Sequence, residues 1–143
     1  MIAVDSGFLY ALADASDAWH WRAMSQRQTL EEGWVTSWPV LSEVCLLFIR
    51  RLGTEPAVVL MADVAAGLVE VWSPPAAALA KVAPLMRKYA ALPMDLADAS
   101  LVLLAEHLGH GRILTTDERD FGAYRWKSRK PFKNVLAVPQ DNL

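Results

Sequence analysis

Short apolar runs, each too brief for a helix, alternate along this chain with stretches of helical periodicity. Glycine or proline marks most of the joins. Residues 2–4 (Ile-Ala-Val) read as a first strand ending at Asp5, followed by a helix over 6–13. A second helix is expected over 17–30 with Asp17 as its cap. A strand over 34–36 leads into a helix that opens with Pro39 and stops before Gly53. Thr54 caps a further helix to 66, and 68–72 is β-like. Pro75 opens a helical stretch to about 92, with a kink or break at Pro84. Asp95 caps an apolar helix ended by Gly109. Then come a strand over 112–115, a short helix over 118–124 and a last strand over 134–138. Strands alternating with helices predict a three-layer α/β/α fold with a central, mostly parallel sheet of about four to five strands.

The 143 residues suffice for one domain and one core, burying about 68–70% of the unfolded chain's surface. No repeat or linker divides residues 1–143. A 54% hydrophobic and 21% charged composition excludes disorder. Mean hydropathy is high, +0.20, but Asp63 and Glu70 break the richest apolar stretch, so no membrane span is expected. Asp5 and the lack of a basic leader argue against a signal peptide. With a single cysteine, Cys45, the composition suits a reducing cytoplasm.

In open parallel sheets, ligands bind beyond the carboxyl ends of the strands. Asp5 and Asp117 stand directly after predicted strands, and Glu43 and Asp98 in the first turns of helices. Asp98 shares a helix face with Leu101, Val102 and Ala105, while Ser100 and His107 mark the more polar side. Glu43 lies at the edge of the stripe formed by Val40, Val44, Leu47 and Phe48. Neither has a basic residue three or four positions away. An ionised acid on an apolar face is costly without a partner, and a divalent cation is one partner that fits. Taken singly, each acid also suits a structural role. Asp5 and Asp117 would cap helices, Asp95 and Asp98 resemble a capping box, and Glu43 suits the helix dipole.

Three segments, in this order, resemble the PIN domains, and more narrowly the VapC-like ribonuclease toxins of toxin–antitoxin modules. They are Ile2-Ala3-Val4-Asp5-Ser6, then Leu41-Ser42-Glu43-Val44, then Asp95-Leu96-Ala97-Asp98-Ala99-Ser100 followed by Ile113-Leu114-Thr115-Thr116-Asp117 and Asp120-Phe121. The resemblance implies that Asp5, Glu43, Asp98 and Asp117 are the catalytic, metal-holding acids. Asp95 and Asp120 would be auxiliaries, and Ser6 and Thr116 would contact metal, bound water or phosphate where they do not serve as turn or cap residues. It implies a Mg²⁺- or Mn²⁺-dependent endoribonuclease, a homodimer, and inhibition by a small antitoxin. Hard carboxylate oxygens do suit Mg²⁺ or Mn²⁺ rather than zinc. The alternative on the same fold is a non-catalytic RNA-binding or protein-interaction module, which would be expected to have lost an acid.

The net charge of −2 excludes a uniformly basic nucleic-acid wrapper. Setting the four acids aside leaves 12 acidic residues against 14 basic ones. Arg125, Lys127, Arg129, Lys130 and Lys133 crowd into nine residues, and this patch is either an RNA contact or a solvated loop. Trp126 within it would be placed to stack on a base. Trp19 and Trp21 cannot share a helix face, so one of them should meet solvent or a partner. Cys45 reads as a small core residue. His20, His107 and His110 are scattered and suggest no serine–histidine–acid set. No glycine-rich phosphate loop is present. Ser6 and Gly7 after Asp5 exclude both the paired acids of a receiver domain and the second acid of a haloacid-dehalogenase site.

Overall fold

The computed structural model describes residues 1–136. The chain runs through β1 (Ile2–Val4), α1 (Ser6–Ala13), α2 (His20–Thr29), β2 (Trp34–Ser37), α3 (Trp38–Arg51), α4 (Glu55–Ala65) and β3 (Val69–Trp72). A 3₁₀ segment (Ala76–Lys81) leads into α5 (Val82–Lys88). There follow α6 (Leu96–Leu108), β4 (Arg112–Leu114), α7 (Glu118–Ala123), β5 (Arg125–Trp126), β6 (Lys130–Pro131) and β7 (Lys133–Asn134). Five strands form one sheet in the order β3-β2-β1-β4-β7, every pairing parallel, with helices on both faces. β5 and β6 pair antiparallel as a separate hairpin.

Strand order reverses between β1 and β4, where the chain returns from one edge to build the other. Such a reversal opens a crevice at the carboxyl ends of the two strands, because the connections leave in opposite directions. The register keeps those ends level. Ala3 pairs with Ile113 and Val4 with Leu114, and the Asp5 amide donates to the Leu114 carbonyl at 3.0 Å. Ile2, Val4, Ile113 and Leu114 are fully buried, which fixes β1 and β4 at the centre of the core.

The element bounds depart from the sequence reading where side chains compete with helix starts. Asp17 does not cap α2: its Oδ1 accepts the Trp19 amide at 2.8 Å in a turn, and the helix begins at His20. Ser37 takes the capping role for α3, accepting from the Val40 amide. Thr54 makes no side-chain cap bond. The stretch over 75–92 is broken rather than kinked, and not at Pro84 itself. It breaks at Lys81–Val82, and Pro84 sits in the first turn of α5, where its missing N–H costs nothing. The last strand is shorter than expected, and residues 137 and 138 of that expectation lie outside the described residues.

α6 corrects the face argument. It packs against α3, α5, β1, β2 and β5, so it is buried nearly all round. Ser100 is therefore buried rather than on a polar side, with its Oγ 2.6 Å from Ser37 Oγ and 2.6 Å from the Ala97 carbonyl. Fully buried leucines such as Leu101 and Leu104 contribute about 2 kcal/mol each. Of the tryptophans, Trp21 and Trp38 are 74% and 59% exposed, whereas Trp126 is 6% exposed. Its indole N–H donates to the Pro131 carbonyl at 3.1 Å, so it anchors the hairpin and its ring is not open to stack on a base. Lys127 and Ser128, in the hairpin turn, both have left-handed backbone (φ 47° and 67°), which costs about 1–2 kcal/mol per non-glycine residue.

Candidate metal centre

The β1–β4 crevice collects the acids. Asp5 ends β1 and is only 5% exposed. Its Oδ1 accepts the Ser6 amide at 2.7 Å, as a cap of α1, and its Oδ2 accepts the Thr115 hydroxyl at 2.8 Å. Burial pushes its pKa up to about 6 despite those two bonds, with Asp117 and Asp95 adding repulsion. Glu43 projects from the second turn of α3. One of its oxygens accepts from the Ser6 hydroxyl, which also stands 3.4 Å from Asp5 Oδ1. Burial, then the neighbouring carboxyls of Asp95 and Asp5, push Glu43 up to about 7, opposed by the Ser6 bond.

Asp95 and Asp98 form the capping box of α6. Asp95 Oδ1 accepts the Asp98 amide at 2.8 Å, and Asp98 Oδ2 accepts the Asp95 amide at 3.3 Å. The structural and functional readings of this pair are thus compatible: the box fixes where the Asp98 carboxylate points. Tyr124, fully buried, donates its hydroxyl to the same Oδ2 at 2.9 Å. Burial first, and Asp95 second, push Asp98 up to about 7, and burial beside Asp98 pushes Tyr124 well above the usual phenol range.

Asp117 follows β4 and caps α7, its Oδ1 accepting the Asp120 amide at 3.0 Å. Burial holds its carboxyl above the usual range, with Asp120 adding to the shift and Arg119 opposing it. Thr115 connects it to Asp5: the hydroxyl that donates to Asp5 accepts from the Asp117 amide at 3.0 Å. Asp120 is buried and pairs with Arg119 Nε at 3.0 Å. Thr116 lies against the first turn of α1, where a Cβ on Gly7 would collide with its Oγ1.

Asp5, Glu43, Asp95 and Asp98 therefore share one electrostatic neighbourhood, and Asp117 reaches it through Thr115. They do not form a closed cage. Among the described residues, no three His, Cys, Asp or Glu side chains are arranged to hold one metal ion by themselves. Nor, among the described residues, does any lysine or arginine pair with Asp5, Glu43 or Asp98, the ion pairs being Lys81–Glu106, Arg112–Glu32 and Arg119–Asp120. Partly desolvated carboxylates without a cation, all hard oxygen donors, fit Mg²⁺ or Mn²⁺, which retain several waters and need few protein ligands.

Three residues of this neighbourhood escaped the sequence reading: Thr115, Tyr124 and Asn134. Asn134 clamps Thr115 by both peptide groups, accepting from its amide at 3.3 Å and donating to its carbonyl at 3.0 Å. The basic patch divides. Arg125 spends its guanidinium on the carbonyls of Gly122, Ala123 and Tyr124, closing α7, while Lys127, Arg129, Lys130 and Lys133 are exposed. The histidines are structural. His20 Nδ1 lies 2.6 Å from the Ala11 carbonyl, His110 Nε2 3.0 Å from that of Met1, and His107 stacks on Trp72.

Compared with known proteins, the chain is 29% identical over 122 residues to Ribonuclease VapC26 of Mycobacterium tuberculosis, covering 85% of this chain and 90% of that one. The crystal structure of Mycobacterium tuberculosis VapC20, described as a Sarcin-Ricin loop cleaving toxin, superposes with a TM-score of 0.76. It has 24% sequence identity and covers 83% of this chain and 92% of that one. No family model matches. With the five-stranded parallel sheet, the motif order and the similarity along most of its length taken together, the chain has the fold of the VapC20 toxin and is similar in sequence to a VapC ribonuclease.

Proposed function

We propose that this chain is a metal-dependent endoribonuclease, the toxin of a type II toxin–antitoxin module, hydrolysing RNA phosphodiester bonds. One observation carries the reading: three carboxylates from three distant segments, Asp5, Glu43 and Asp98, are held together at the strand-order reversal, with pKa values raised to about 6–7 and no cation beside them among the described residues. Similarity to a ribonuclease over 85% of the chain supports the same reaction class.

Asp5, Glu43, Asp98 and Asp117 are the residues that would hold Mg²⁺ or Mn²⁺. When bound, the ion supplies a water of lowered pKa and neutralises charge on the phosphate oxygens. The chain's own groups do the positioning. Ser6 ties Glu43 to Asp5. Thr115 fixes Asp5 Oδ2 and the start of the Asp117 segment. Tyr124 and the Asp95 amide both bond Asp98 Oδ2, which fixes the orientation of that carboxylate. Asp95 and Asp120 shape the field around the four acids, and the exposed bases of the hairpin contact RNA phosphates.

An antitoxin and a second copy of the chain are the partners in this reading, and the cytoplasm its compartment. Apolar side chains exposed on α3 and α4 (Leu46, Ile49, Val58 and Val59) support a protein partner. Among the described residues, no helix is long and apolar enough to cross a membrane. The deciding experiment is cleavage of RNA in Mg²⁺ or Mn²⁺, with and without EDTA, beside Asp5→Asn. The expected result is cleavage by the wild type with metal alone. Cleavage that survives EDTA and Asp5→Asn defeats the metal mechanism.

A further inference from the structure

The β5–β6 hairpin and α5 border a cleft of about 820 Å³, and none of the four acids lines it. Lys81, Lys88 and Lys127 reach it, against a single acid, Glu106. That acid is fully engaged: Oε2 pairs with Lys81 at 3.1 Å, and Oε1 accepts the Lys127 amide at 3.2 Å. Lys88 Nζ donates to the Ser128 carbonyl at 3.4 Å. Glu106 and Lys88 thus hold the left-handed turn at Lys127 and Ser128 from α6 and α5. Beneath the turn, the buried Trp126 ring is flanked by Lys130 Nζ at 4.9 Å and Lys127 Nζ at 6.0 Å. Arg129 on the hairpin tip is exposed and adds to the same field.

We propose that this cleft is a second phosphate subsite, gripping the backbone of a single-stranded RNA whose scissile phosphate lies at the acids. The proposal rests on the ribonuclease reading above and extends it to residues on α5. Two lysines held on a fixed frame without a carboxylate partner among the described residues, Lys88 and Lys127, beside a Lys81–Glu106 pair that braces the frame, match a repeating monovalent anion. The hairpin also starts one residue after Tyr124, whose hydroxyl bonds Asp98, so frame and acids are built on the same stretch of chain.

The test measures binding of a short fluorescent single-stranded RNA in EDTA across a salt titration. Wild type is compared with the Lys88→Gln/Lys127→Gln double variant and with Arg27→Gln/Arg50→Gln, an equal charge change on α2 and α3. Loss of two phosphate contacts should lower the slope of log affinity against log salt by about 1.4, at about 0.7 per contact on a single strand. The Lys88→Arg/Lys127→Arg pair should keep the wild-type slope, which separates charge from folding. A double glutamine variant that keeps the full slope, or a control pair that loses as much, overturns the cleft. If wild type still cleaves RNA in that case, the ribonuclease reading stands alone. If the slope falls as expected but wild type cleaves no RNA in Mg²⁺ or Mn²⁺, the cleft is supported and the nuclease reading fails. A wild type that neither binds nor cleaves RNA overturns both.

Discussion

Asp98 carries two loads at once, a helix cap and a partly desolvated charge. Replacing it by Asn keeps an oxygen for Tyr124 and the Asp95 amide, and removes the like-charge contact with Asp95. The expected outcome for Asp98→Asn is loss of RNA cleavage with a slightly raised melting temperature in EDTA at pH 8. A lowered melting temperature there counts against the repulsion argument. Tyr124→Phe removes only the hydroxyl, since the ring still packs edge-on against Phe121 and Tyr89. Losing this bond should weaken Mn²⁺ binding about 10-fold, as for other groups that orient ligands, measured by metal titration of the folded protein. Unchanged Mn²⁺ affinity would reduce Tyr124 to a packing residue. That Asp5 and Asp117 follow strands and that Glu43 and Asp98 stand early in helices was legible in sequence, because apolar runs mark those elements. Tyr124, Thr115 and Asn134 were not, because their contacts span 26, 110 and 19 positions and no local period encodes such pairings.

At the scale of elements, the strands up to β4 were readable from apolar runs, whereas the basic hairpin was not. Its strands are two residues each, and its stability comes from Trp126 and from neighbours on α5 and α6. Gly111 shows how tight that packing is. A Cβ there would collide with the Trp126 indole nitrogen and come within 2.9 Å of the Pro131 carbonyl oxygen. Gly111→Ala should therefore destabilise the protein by about 1–3 kcal/mol, the usual cost of overpacking, as read by chemical denaturation. A neutral Gly111→Ala would mean that the hairpin moves freely from β4. The unbroken burial of Ala99–Ala105 explains why periodicity misplaced Ser100: a helix stretch surrounded by protein has no polar face to find.

For the whole molecule, the raised carboxyl pKa values set a sign. Asp5, Glu43 and Asp98 hold protons in the native state up to pH 6–7, where the unfolded chain has already released them near pH 4. The native state thus binds more protons over that window, and metal-free stability falls as pH rises from about 4 to about 8. Melting in EDTA at pH 5, 6, 7 and 8 should show this decline, and Mn²⁺ should restore more stability at pH 8 than at pH 5. A melting temperature that climbs through this window without metal contradicts the clustering of these groups. The clamp of Asn134 on Thr115 has one more consequence. A chain under synthesis must be extended beyond Asn134, and that residue must clear the ribosome, before the loop bearing Asp117 can be locked beside Asp5. The pocket of acids is thereby closed only once every one of its carboxylates has already been synthesised.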